Sequence, residues 1–141
     1  MLSLPTNYQR CQTRWSTNAA SPRNTPYQVG ALVEQGVRSI GIAQSHGVKI
    51  TYGSDLLAAM RSRQLEGFGL LLDGGLSAAD ALRTATCNAA ELVGLDAGAI
   101  APGLHCDLVL LRCNPLDAAN LRALSEADVV SVWVGGVRVD T

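Results

Sequence analysis

From Ala31 to Gln44 the apolar positions Ala31, Leu32, Val33, Val37, Ile40 and Ile42 alternate with the polar Glu34, Gln35, Arg38 and Gln44. That stripe predicts an amphipathic helix running from near Gly30 to about His46, with Gly47 as its stop. The period then changes. Val48, Ile50 and Tyr52 alternate with Lys49 and Thr51, which predicts a strand near 48–53 that ends in Gly53-Ser54-Asp55. Helical spacing returns from Met60 to about Leu72, through Leu65, Phe68, Leu71 and Leu72, and Asp73-Gly74-Gly75 closes that segment. The next helix is the best marked. Ser77-Ala78-Ala79-Asp80 reads as a capping box, Leu82, Ala85, Ala89 and Leu92 form one face, and Gly94 ends the helix.

The carboxyl-terminal part changes period again. Asp107-Leu108-Val109-Leu110-Leu111, between Pro102-Gly103 and Asn114-Pro115, predicts a short buried strand. Val129–Val134, Gly135-Gly136 and Val137–Asp140 predict a hairpin with a two-residue glycine turn, in which Trp133 is a packing residue. Helices followed by a separate β patch suggest two subdomains.

Composition narrows the class. At 48% hydrophobic and 16% charged, the 141 residues suit one domain with a buried core. They fall well short of the ~250 residues of a complete eight-unit strand-helix barrel. The formal net charge of −1 gives no basic field to attract nucleic acid or an anionic membrane surface. No apolar run approaches the roughly 18 residues of a membrane span. Cys11, Cys87, Cys106 and Cys113 form no CxxC pair and have no histidine at metal-ligand spacing, so they read as reduced, mostly buried thiols of an intracellular protein. Residues 1–28 stand apart. They carry Arg10, Arg14 and Arg23, three prolines and no acid. This composition reads as a poorly ordered tail, or as an Arg- and Ser-rich transit segment.

Chemistry concentrates at one carboxylate. In parallel α/β proteins the carboxyl ends of strands carry catalytic groups, and Asp55 sits at such an end. It also fits a turn residue or the N-cap of a following helix. His46 in the last helical turn is explained by the helix dipole. A serine triad from Ser54, His46 and Asp55 would need residues that face different ways, so it is set aside. Gly67-Phe68-Gly69 lacks the third glycine and preceding strand of a dinucleotide site, and no phosphate loop, nucleophile elbow or HExxH is present.

Gly47–Leu56, followed by Glu66-Gly67-Phe68, resembles the last barrel strand and following segment of the amidohydrolase superfamily, in particular imidazolonepropionase-like and Xaa-Pro-dipeptidase-like members. Gly75–Thr86, Asn88–Gly94, Gly98–Gly103, Asp107-Leu108-Val109, Asn114-Pro115-Leu116 and the Gly135-Gly136 hairpin are similar to that family's ending, in its order. The resemblance covers about residues 30–140. It implies an α/β protein, the C-terminal fragment of a (β/α)8 TIM-type barrel plus a small β-sandwich subdomain. Residues 29–97 would be the last αβα portion of the barrel and 98–141 part of the sandwich, after the 1–28 tail.

The resemblance further implies a metal-dependent hydrolase acting on carbon-nitrogen bonds of amide, cyclic amide or dipeptide substrates. Asp55 matches the family's strand-end aspartate, which binds the divalent metal, expected to be zinc, and takes the proton from the attacking water. The departures are as informative. The first-strand His-x-His, the bridging lysine or glutamate and the two later histidines of the family have no counterpart here, and one carboxylate cannot hold zinc tightly alone. Arg61 and Arg63 stand where relatives often carry histidine. His105 with Cys106 replaces a small or polar pair before Asp107, and His105 reads as a surface residue. The expectation is therefore the C-terminal portion of such an enzyme. The alternative is a non-catalytic truncated chain that pairs with a partner supplying the missing strands. Expected partners are a small amide-type substrate and either a second copy or the missing amino-terminal half, with no nucleic acid and no membrane. The expected location is cytoplasmic, with mitochondrial as the alternative.

Overall fold

Helix α1, Pro26–Ser45, ends as its sequence requires. The Val48 amide donates to the Ala43 carbonyl at 2.9 Å and the Gly47 amide to the Gln44 carbonyl at 3.0 Å, with Gly47 at φ +66°. This is the Schellman closure, in which a left-handed residue satisfies orphan carbonyls. The computed structural model describes residues 26–56 and 58–139. The assignment of 1–28 as a tail therefore falls outside the described residues, except for Pro26–Gln28, which open α1. Residues 40–141 form one compact unit, and residues up to Ser39 belong to another.

Residues 48–55 form no strand, which corrects the expectation for 48–53. The stretch is extended but has no ladder. A parallel strand is defined by neighbours, and the only sheet among the described residues lies elsewhere in the sequence. Its polar backbone is satisfied by helices instead: the Tyr52 amide donates to the Thr84 carbonyl at 2.9 Å and Asn88 Nδ2 to the Ile50 carbonyl at 2.8 Å. The helix expected from Met60 to Leu72 is a 3₁₀ stretch, Ala58–Glu66, joined to a short helix α2, Gly67–Asp73.

The helix expected over 77–94 is two helices, α3 (Ala78–Ala85) and α4 (Cys87–Val93). Ser77 caps α3 by accepting from the Asp80 amide at 3.1 Å. The Asp80 carboxylate accepts from the Ser77 hydroxyl rather than from its amide, and that hydrogen bond, with the Arg83 guanidinium, holds it below the usual carboxylate range. The break falls at Thr86, φ −122° and ψ −98°. Two local causes converge there. The Thr86 hydroxyl donates to the Leu82 carbonyl at 2.9 Å, which competes with helix continuation. The returning chain also packs Gly98 against the break, where a β-carbon would lie 2.7 Å from the Thr86 carbonyl. Only glycine fits that approach. Gly94 then ends α4 as expected, at φ +68° with the Leu95 amide on the Ala90 carbonyl at 2.9 Å.

The core is a layer of helices. Phe68 and Leu71 of α2, Leu76, Ala78 and Ala81 around α3, and Leu121 and Leu124 form one buried cluster, with Ile40, Ile50 and Tyr52 packed against it. Leu121 belongs to α5, Ala118–Ala123, an element that the apolar pattern had not suggested. Asp117 caps it, accepting from the Ala119 and Asn120 amides. Arg122 of α5 pairs with Asp73 at 2.7 Å and so joins α5 to the end of α2.

Three antiparallel strands complete the fold, β1 (Leu108–Leu111), β2 (Val129–Val134) and β3 (Val137–Val139), in the order β1-β2-β3. The register pairs Val109 with Val132, Val132 with Val139, and Val134 with Val137. Residues opposite one another share a face, so Val109, Val132, Val134, Val137 and Val139 lie on one side of the sheet, and the register with β1 is interrupted at Val130, which has no partner in it. All but Val132 are exposed, from 42% to 69%. The buried strand expected at 107–111 is thus a strand with an exposed middle, Val109 and Leu110. The Gly135-Gly136 turn forms as expected and is tied to the residue preceding β1 by the Gly135 amide, which donates to Asp107 Oδ1 at 2.7 Å.

Candidate functional site

Asp55 lies exposed at the end of the extended stretch 48–55, and its φ of +49° makes it the one described non-glycine residue in the left-handed region. Asp is among the few side chains that tolerate that conformation, and such residues persist where the surroundings fix them. The surroundings here are specific. Tyr52, three residues earlier, stacks on Phe68 with ring centroids 5.0 Å apart, and its hydroxyl donates to the Gln64 carbonyl. Burial pushes the Tyr52 phenol up, opposed by the backbone amide of Gly67. A β-carbon on Gly67 would run into the Tyr52 ring, so the small residue that opens α2 is what lets the ring lie there. Thr84, 1% exposed, and the half-buried Asn88 hold the stretch through the two hydrogen bonds given above. Lys49 pairs with Glu91 at 2.5 Å, but both side chains are more than half exposed, so solvent screens the pair.

Asp55 is thus the one sequence-selected acid that stands at the end of a clamped segment. The remaining candidates do not join it. His46 follows the end of α1, where its Nδ1 lies 2.9 Å from the Ile42 carbonyl, a capping contact as its position implied. His105 is exposed, and its backbone amide donates to the Asp96 carbonyl. Cys87 and Cys106 are exposed and Cys113 half-buried, which corrects the expectation of buried thiols. An open cavity of about 420 Å³ is walled by Cys87, Glu91, Leu95, Asp96 and Leu104, and Asp55 is not part of it.

A divalent ion needs several donors, about four for zinc. Among the described residues no group of three or more His, Cys, Asp or Glu side chains comes together, so Asp55 offers one ligand and this chain's residues do not fit a complete site. Asn88, Thr84 and the Tyr52–Phe68 stack were not singled out by sequence. No local pattern marks them: the helix breaks at Thr86 between Thr84 and Asn88, and their partners Tyr52 and Ile50 are distant in sequence.

A profile of the amidohydrolase family matches residues 13–139. An amidohydrolase crystal structure superposes with a TM-score of 0.79 at 27% identity, over 94% of this chain and 32% of that one. A prolidase complexed with N-methylphosphonate-L-proline gives a TM-score of 0.77 at 32% identity, over 94% and 33%. A Xaa-Pro dipeptidase with methionine bound in its active site shares the fold, with a TM-score of 0.75 at 21% identity over 96% and 33%. The chain spans about a third of the length of the structures it matches.

Proposed function

Because this chain belongs to the amidohydrolase family, we propose that it forms the C-terminal third of a hydrolase of carbon-nitrogen bonds, with dipeptides ending in proline as the first substrate class. The observation that carries this reading is Asp55, an exposed carboxylate held left-handed at the end of a segment anchored at Ile50 and Tyr52 by Asn88, Thr84 and Phe68. The likeness to a prolidase at 32% identity supports the substrate class.

Hydrolysis of an amide requires water to lose a proton as its oxygen attacks the carbonyl carbon. The leaving nitrogen must gain a proton as the carbon-nitrogen bond breaks. One carboxylate at the carboxyl end of a barrel strand can serve both needs, accepting the proton and then returning it. In this reading residues 29–97 supply the last αβα portion of a (β/α)8 barrel. Residues 98–141 supply part of a β-sandwich, and the apolar valine face supports this, since such a face calls for a second layer. Zinc is the ion we assign to the whole protein, with Asp55 one of its ligands and the rest on strands outside this chain. The exposed free thiols Cys87 and Cys106 suit a reducing compartment and support a cytoplasmic location. Among the described residues no helix is long and apolar enough to cross a membrane. The unladdered stretch and the valine face also favour a second reading, in which a separate polypeptide supplies the missing strands to a chain without catalysis of its own.

The test compares the isolated 141-residue chain with the protein extended by its upstream reading frame. With zinc supplied, the extended protein is expected to hydrolyse Xaa-Pro dipeptides or lactams. The isolated chain is expected to give no turnover above buffer. Zinc-dependent turnover by the isolated chain would overturn the claim that donors from elsewhere are required. Its absence in an extended protein that carries the family's histidine ligands would overturn the assigned reaction.

A further inference from the structure

We propose that Asn88 is a positioning residue for Asp55, a role that rests on the catalytic reading of Asp55 given above. The Asn88 carboxamide donates to the Ile50 carbonyl at 2.8 Å in a half-buried setting, bridging positions 38 residues apart. Five residues beyond that carbonyl the chain reaches Asp55 at φ +49°. A segment with no strand neighbour among the described residues has no ladder to fix its height or its rotation. Its placement is therefore decided by discrete anchors. The Tyr52 amide on the Thr84 carbonyl fixes one point, and the Tyr52 ring against Phe68 fixes a second. Both rely on main chain or on apolar packing. Asn88 fixes a third point, upstream of Tyr52, with a side chain whose donor fits a carbonyl. With Ile50 and Tyr52 held by α3 and α4, the segment cannot roll about its own axis, and the carboxylate is delivered in one orientation.

Asn88 has the geometry for this task. It is the second residue of α4, just past the break at Thr86, and its side chain takes the Ile50 carbonyl while the Thr84 carbonyl at the end of α3 takes the Tyr52 amide, so two consecutive helices supply the two anchors. The neighbouring Lys49–Glu91 pair joins the same two parts of the chain but is exposed and screened. It serves as a control for a merely adhesive role.

The experiment uses the extended protein and measures kcat and KM for a Xaa-Pro dipeptide with Asn88→Asp, Asn88→Ser, Glu91→Gln and Asp55→Asn, alongside each variant's thermal midpoint. Asn88→Asp keeps the shape and removes the donor. Displacing a catalytic group by about 1 Å costs up to about 100-fold in rate. The expected result for Asn88→Asp is a kcat reduced about 10- to 100-fold, with KM changed less than about threefold. Asn88→Ser, with a shorter donor and more space, is expected to fall in the same direction and serves if the aspartate variant does not fold. Glu91→Gln is expected to match the parent. If Asp55→Asn is inactive while both Asn88 variants lose only thermal stability and retain parental kcat below their midpoints, the positioning role is overturned and the reading of Asp55 stands. If Asp55→Asn turns over normally, the reading of Asp55 falls, and the role assigned to Asn88 falls with it.

Discussion

Asp55→Asn in the extended protein is expected to lower turnover by about 10²- to 10⁴-fold, the usual range for loss of a general base, and to lower bound zinc as well. The substitution isolates the charge. Asparagine has nearly the shape of aspartate and is likewise one of the residues that adopt a positive φ readily, so the backbone at +49° need not change. On the proposed reading, what disappears is the acceptor for the water's proton and one anionic ligand. Steady-state rates and metal content measured on the same preparations check the expectation. Turnover within a factor of about three of the parent would refute the assignment, because no carboxylate would then be needed at that position.

Leu121→Ala is expected to destabilise the chain by about 2–5 kcal/mol, the cost of deleting a fully buried leucine side chain and leaving its cavity. Leu121 is 0% exposed and belongs to the cluster in which α2, α3 and α5 meet. The neighbouring Leu116 is 62% exposed, and Leu116→Ala is expected to stay within about 0.5 kcal/mol. Urea unfolding of the two variants and the parent provides the comparison. A Leu121 loss below about 1 kcal/mol would mean that α5 contributes little to the core.

Both sites illustrate what local sequence can convey. The stops at Gly47 and Gly94, the cap at Ser77 and the Gly135-Gly136 turn were legible because each is decided by a few adjacent residues and a backbone angle. Asp55 was legible for the same reason, as an acid after an alternating run. The strand character of that run was not, since a strand exists only through neighbours, and 48–53 finds helices beside it. Helix α5 was missed because it is only six residues long and its anchor Leu121 pairs with Leu124 across the helix end. Its cap at Asp117, followed by Ala118-Ala119-Asn120, was the available sign. One of the two causes of the break at Thr86 is the approach of Gly98, which no periodicity links to it. Asn88 escaped notice because its acceptor is 38 residues away.

The valine face of the sheet leaves a mark on the thermodynamics of the isolated chain. Heat capacity rises on unfolding in proportion to apolar surface newly exposed to water, ordinarily by about 12–15 cal/mol/K per residue. Side chains at Val109, Val134, Val137 and Val139 are already hydrated before unfolding begins, so they add little to that increment. The same surface adds little to the denaturant slope, which scales with the area exposed. The stability curve of the isolated chain is accordingly a flatter dome than its length implies. Covering that face with a second layer would sharpen its curvature as well as raise its summit.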